Sequence, residues 1–387
     1  MSTDKINANT GKSRSSNLEL YRIIVMLLII AHHYVINSGL TLPGGPIYSN
    51  LTTWKSLFLL SFGAFGKIGI NCFVLITGYF MCKSQISAKK FAKLFFEVVF
   101  YDVIISTIFY VTGYSGQSFP SFLKSLLPFT TIAQNFTGCY LVFFLCIPFL
   151  NVLIHHLTQK QHFYLIILLG FTYVFMGTIP FFSVTMNYVS WYIVLFVIAS
   201  YIRLYPTKTF EKTKLWGWLT LLFVILSISS VIISTLLMTK IGKLSPYMFV
   251  TDSNTLLALL TALSSFIFFK NLKIPQCKFI NLVAKTSFGV LLIHTAGDSM
   301  RKLLWNDILN NVGVYDSNLL PLHAVGSVIA IYAVCFAIDF LRIKFIETPI
   351  FKLWDKHYEN IKSKFLKCEN KLLSKLGISS EDNSKEN

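Results

Sequence analysis

Arg22 and His33 lie eleven residues apart in the first strongly apolar stretch of the chain. A helix turns about 100° per residue, so His33 returns to within ~20° of Arg22, about 16 Å further along the axis. His32 points about 80° away from Arg22 on the same count. An imidazole exchanges protons near neutral pH, and a guanidinium clamps anions. Burying either group in a membrane-length helix is costly, which makes the pair a functional-site candidate. Glu19, three residues before Arg22, is spaced for an ion pair within the helix. Blander readings stay open. Glu19 and Arg22 could form an interfacial cluster with Arg22 snorkelling, and His33 could be a histidine near the opposite interface that is merely hydrogen-bonded. The shared face of Arg22 and His33 favours function.

Other groups follow. The second apolar stretch runs Phe65-Gly66-Lys67-Ile68-Gly69-Ile70-Asn71-Cys72-Phe73 and continues to Ile76-Thr77-Gly78-Tyr79. Its glycines allow close helix packing, and Lys67 either faces a polar cavity or snorkels outward. Lys83, Lys89, Lys90 and Lys93 follow. Such a cluster attracts a phosphate-bearing ligand, although a cytoplasmic loop collects lysines without any ligand. Glu97 and Asp102 fall in the third stretch. His294 and Asp298 are four apart, a spacing that allows them to pair. Asp339, Arg342 and Glu347 stand near the end of the last stretch. There is no Gly-rich phosphate loop, nucleophile elbow or H-E-x-x-H pattern, and no metal site is expected.

These groups need elements to hold them. The chain has 387 residues, of which 54% are hydrophobic and 13% charged, against about 25% charged in a soluble domain. One water-soluble core cannot hide that composition, so the expected class is an all-α, polytopic membrane protein. The 36 Phe and 18 Tyr suit lipid-facing and interfacial positions. Crossing a bilayer takes ~20 apolar residues. Ten spans meet that expectation, at about 19–39, 57–81, 94–113, 138–155, 162–180, 187–202, 216–238, 254–269, 279–296 and 319–341. The stretch 114–137, broken by Phe119-Pro120 and Leu127-Pro128, reads as an outer loop. With the N-terminus cytoplasmic, 25 of the 34 Lys and Arg fall on the inner side, and both termini end there. That placement explains the +17 net charge without a nucleic acid partner. Residues 1–17 read as a disordered tail, 18–346 as the membrane domain, and 347–387 as a basic amphipathic tail on the inner leaflet. The seven scattered cysteines have no zinc or redox spacing and are assigned packing roles.

Several segments resemble the membrane acyltransferase-3 family, ten-helix O-acyltransferases of bacterial surface glycans. The Arg-x10-His spacing is filled by Arg22 and His33. Gly69 to Tyr79 resembles the family's second-span Phe-Phe-x-x-Ser-Gly-Phe/Tyr signature, with Thr77 in place of Ser. Thr286 to His294 resembles its late Ser-Tyr/Phe-Gly-x-Tyr-Leu-x-His segment. Trp191-Tyr192 and Ile346-Glu347-Thr348-Pro349 also fit, so the resemblance covers roughly residues 15–355.

The resemblance implies transfer of an acyl group, most often acetyl, from cytosolic acyl-coenzyme A to a hydroxyl of an extracytoplasmic or lipid-linked polysaccharide. Acetyl-coenzyme A would be a substrate, with no permanently bound cofactor. The expected location is the bacterial cytoplasmic membrane. An imidazole suits removal of the hydroxyl proton, which assigns His33 as general base, while Arg22 holds the donor. Glu19 and His294 are further candidates. Where the family carries Arg-x-x-Arg after the second span, this chain has Lys90-x-x-Lys93. Lysine attracts phosphate as a point charge but lacks the bidentate fork. A transporter or polymerase of lipid-linked sugars, without acyl transfer, is the rival expectation, because ten spans with buried charges suit it too.

Overall fold

The computed structural model describes residues 15–114, 118–125, 127, 135–179, 184, 187–240 and 245–375. The expected tail at 1–14, much of the expected loop at 114–137, and the last dozen residues lie outside them. The structure is 78% helix, with no strand among the described residues. We label the main helices α1 (Ser16–Ile36), α2 (Trp54–Phe62), α3 (Gly66–Met81), α4 (Ala88–Val111), α5 (Phe136–His156), α6 (Gln159–Leu169), α7 (Tyr188–Leu204), α8 (Thr213–Lys240), α9 (Leu256–Asn271), α10 (Lys278–Lys285), α11 (Ser287–His294), α12 (Leu320–Arg342) and α13 (Thr348–Lys375).

Seven helical stretches are long and apolar enough to cross a membrane. An eighth candidate is the pair Lys278–His294 and Gly297–Ile308, bent by 102°. Tyr188–Leu204 and Leu256–Asn271 are apolar but shorter. Large side chains point outward from these helices, with Phe149 77% and Trp218 71% exposed. An apolar exterior on this scale is unfavourable in water and stable against lipid tails. The protein is a multi-pass membrane protein.

α3 is the hub of the larger compact unit, Met1–Phe336. It packs against α1, α7 and α9. Two devices make that contact close. Gly66 and Gly69 face α1 so tightly that a Cβ would meet the His32 ring at 2.2 Å and Ile29 Cγ1 at 2.7 Å. The second is Asn71, fully buried. Its amide donates to the Ser253 carbonyl at 2.6 Å and accepts from the Trp191 indole at 2.8 Å. A buried amide bonded on both sides ties α3 to α7 and to the segment before α9.

α1 is held at both ends. It starts at Ser16, inside the stretch expected as a tail. Ser16 Oγ donates to Asn281 at 3.0 Å, and the Asn17 amide donates to the carbonyls of Lys270 and Leu272 at 2.9 and 3.1 Å. At the far end the Tyr34 hydroxyl meets His323 Nδ1 at 2.9 Å, and the Asn311 amide donates to the Tyr34 carbonyl at 3.0 Å. The smaller unit, Ala337–Asn387, contains the end of α12 and the lysine-rich α13. Within it, buried Arg342 donates to Asp339 at 2.7 Å and to Glu347 at 2.9 Å.

The α1–α3 approach yields a test. Gly66→Ala forces a methyl against His32 and is expected to destabilise the protein by about 1–3 kcal/mol, read as a lower thermal midpoint in detergent. An unchanged midpoint would mean that the two helices part without cost.

Candidate functional site

Two helix breaks create the site. The apolar stretch Trp54–Met81 is interrupted between α2 and α3, and the end of α2 leaves carbonyls without intrahelical partners. One of them, on Gly63, accepts a 2.6 Å hydrogen bond from His32 Nδ1–H. The second break follows α11, where Gly297 takes a left-handed φ of +78° that glycine adopts without strain. His294 is the last residue of α11 before that bend.

His294 Nδ1 lies 2.6 Å from the Val290 carbonyl one turn earlier. A carbonyl only accepts, so His294 carries its proton on Nδ1. With both rings neutral, His294 Nε2 then has a lone pair and no proton. That Nε2 sits 3.0 Å from His33 Nδ1. His33 therefore donates from Nδ1, and its own Nε2 is left as an unprotonated acceptor. The chain Val290 carbonyl, His294, His33 sets the tautomer of the last ring through two hydrogen bonds.

His33 lines a cavity of about 670 Å³. Its wall includes Ile29 and His32 from α1, Gly66, Lys67 and Ile70 from α3, Phe136 and Thr137 from α5, Tyr188 from α7, and Leu291 and Leu292 from α11. α4 contributes Val98, Asp102, Ile105, Ser106 and Phe109, a spacing that puts all five on one helix face. Lys67 faces the cavity, and its ammonium donates to the Tyr188 hydroxyl at 2.7 Å. Of the two sequence alternatives for Lys67, the polar cavity is the one realised. The expected His294–Asp298 pairing is not formed. Asp298 pairs with Arg301 at 3.0 Å, because the bend at Gly297 carries it off the α11 axis.

The other predicted residues lie elsewhere. Arg22 forms the expected ion pair with Glu19 at 3.2 Å. Its guanidinium lies 5.8 Å from the Phe73 ring centre, and Arg22 is not among the residues lining the cavity. Phe73 in turn meets Phe136, a cavity residue, edge to face at 6.3 Å. A shared helix face therefore does not by itself put Arg22 on the wall of the cavity that His33 lines. Lys90 and Lys93 sit at the start of α4. Lys90 is exposed and donates to Ser84 Oγ at 3.2 Å and to the Gln85 carbonyl at 2.8 Å.

Sequence reasoning passed over Asp102, Ser106, Tyr188 and His32 as cavity residues. One signal was available for two of them. Asp102 and Ser106 are one turn apart in an apolar helix, with Val98, Ile105 and Phe109 at helical spacing around them.

The acyltransferase-3 family model, described as an acyltransferase domain, matches residues 15–340. No curated protein and no solved structure matches the chain.

Proposed function

The chain belongs to the acyltransferase-3 family of membrane acyltransferases, and from that premise we propose that it moves an acyl group, acetyl foremost, from cytosolic acyl-coenzyme A to a hydroxyl of an extracytoplasmic or lipid-linked polysaccharide. The observation that carries this reading is the imidazole chain ending at His33 Nε2, an oriented proton acceptor on a cavity wall. The family's chemistry needs such a group.

The topology we propose has ten spans with both termini in the cytoplasm of a bacterium. The seven long helices, the bent pair and the two shorter apolar helices coincide with the ten expected ranges, which supports the count. The lysine and arginine distribution supports the orientation. In that orientation the cavity residues near the end of α4 and at the bend after α11 lie towards the non-cytoplasmic side, and Lys90 and Lys93 meet the cytosol.

The reaction balances on the residues of this chain. The acceptor hydroxyl gives its proton to His33 Nε2 as its oxygen bonds to the thioester carbonyl carbon. The tetrahedral intermediate then expels the coenzyme A thiolate, which takes that proton back from the imidazolium. Ester and free thiol leave, and His33 is restored. Throughout, His33 Nδ1–H stays on His294 Nε2, so the imidazolium keeps an acceptor and its orientation. Arg22, steadied by Glu19, and the Lys90 and Lys93 pair serve the anionic donor. A carrier with several phosphates is drawn to such cations in proportion to its charge.

Purified protein in detergent is expected to consume acetyl-coenzyme A, and His33→Ala is expected to abolish transfer while the protein stays folded. A well-expressed His33→Ala variant with full activity would remove the base. His294→Ala, which frees the His33 tautomer, is expected to lower kcat by about 10²-fold. His294→Gln presents an acceptor oxygen to the same N–H and should retain more activity; equal losses in the two variants would dismiss the orienting role. The double variant Lys90→Ala, Lys93→Ala should raise the KM for acyl-coenzyme A and spare kcat, and an unaltered KM would discard the phosphate role.

A further inference from the structure

Asp102 is the feature of the cavity that the imidazole chain does not use. Its carboxylate sits well inside an apolar helix of 24 residues and lines the same chamber as His33. Of the other charged groups on that wall, Lys67 donates to Tyr188, Arg301 donates to Asp298, and Lys124 is exposed. No hydrogen bond or ion pair to a described residue holds Asp102. A carboxylate at membrane depth without a protein partner is expensive to keep, so its partner is a ligand or water in the cavity.

The chemistry of that ligand follows from charge. Lys67, Lys124 and Arg301 on the same wall suit an anion, whereas the Asp102 carboxylate has no donor to offer a phosphate, which assigns Asp102 to the acceptor's part of the site. A carboxylate only accepts hydrogen bonds, and its two oxygens reach two donors at once. Adjacent hydroxyls of a sugar ring offer that pair. Ser106 lies one turn further along the same face and adds a hydroxyl that donates or accepts. Phe109 and Phe136 supply apolar ring surface beside these groups, suited to the C–H faces of a pyranose.

Resting on the acyl-transfer reading above, we propose that Asp102, with Ser106, grips neighbouring hydroxyls of a polyhydroxylated acceptor and so selects which hydroxyl reaches His33. Asp102 is a specificity-determining residue of the acceptor subsite. It accepts from hydroxyls that are not acylated, and it takes no proton in the reaction.

The test reads binding and turnover separately on the full-length protein in detergent. The probe is the surface polysaccharide of the producing cells, stripped of its esters with mild alkali. Binding is measured first, without donor. Wild type should bind, and Asp102→Ala should weaken binding about tenfold, the loss of a hydrogen bond to a charged group. Asp102→Asn keeps the shape and one acceptor oxygen, and should fall between the two; it serves as the probe if the alanine variant does not fold. In turnover the same loss should appear as a raised KM for the polysaccharide, with kcat changed far less. Equal binding by all three proteins, or no binding by wild type, would overturn the assignment. So would a fall in kcat with the KM for the polysaccharide unchanged, because the carboxylate would then serve the base or the fold. Absence of thioester consumption by wild type would refute the acyl-transfer reading alone, since the binding arm stands without it.

Discussion

A buried carbonyl accepts and never donates, and the arrangement of the site follows from that asymmetry at Val290. The carbonyl fixes the proton of His294 on Nδ1, the lone pair of His294 fixes the proton of His33 on Nδ1, and His33 Nε2 is left to face the cavity. In water the same two rings would sample both tautomers. In a dry helix bundle an unpaired ring nitrogen or a lone buried cation is costly, so the hydrogen-bond chain acts as a one-way device. It plays the part that an orienting carboxylate plays in hydrolases that use a histidine base, and it does so without a charge in the membrane. A neutral partner is the economical solution where an anion would itself need a partner.

The helices around this pair are arranged to keep it in place. α1 carries His33 and is bonded at both ends, through Asn17 and through Tyr34. α11 carries His294 and stops at Gly297. Close approach of α1 and α3 depends on the missing side chains of Gly66 and Gly69, and Asn71 fastens α3 to its other neighbours. Small residues and buried amides do in lipid what apolar burial does in water, because lipid tails give helices no hydrophobic reason to associate. The break between α2 and α3 has its own use. It frees the Gly63 carbonyl, and His32 takes it. Both adjacent histidines line the chamber, and His32 also holds the helix pair.

Much of this was legible in the residues. Composition gave the helical membrane class, and the positions of the apolar stretches matched helices along the chain. The Arg22 and His33 spacing pointed to α1 as the helix of the candidate site, and the ion pair of Glu19 with Arg22 followed from a spacing of three. The partner of His33 was out of reach, because it lies 261 positions away and periodicity reports only local neighbours. The spacing of four that allowed His294 to pair with Asp298 presumes a continuous helix, and the bend at Gly297 ends it. The face shared by Arg22 and His33 was a correct inference about one helix. Whether a residue on that face also lines the cavity depends on what packs on it, and Arg22 packs with Glu19 and Phe73. Lys67 had two readings in sequence, and Tyr188, from a helix more than a hundred residues later, decided between them.

The proton positions on His33 and His294 are the heart of the account, and nitrogen-15 NMR of ring-labelled protein in lipid reads them directly. Signals assigned by their loss in single-histidine variants should show His33 protonated at Nδ1 and bare at Nε2, with one-bond coupling across the His33–His294 contact running from His33 as donor. A His33 ring protonated at Nε2, accepting at Nδ1 from His294, would contradict it, because the cavity would then face a nitrogen with no lone pair to take a proton.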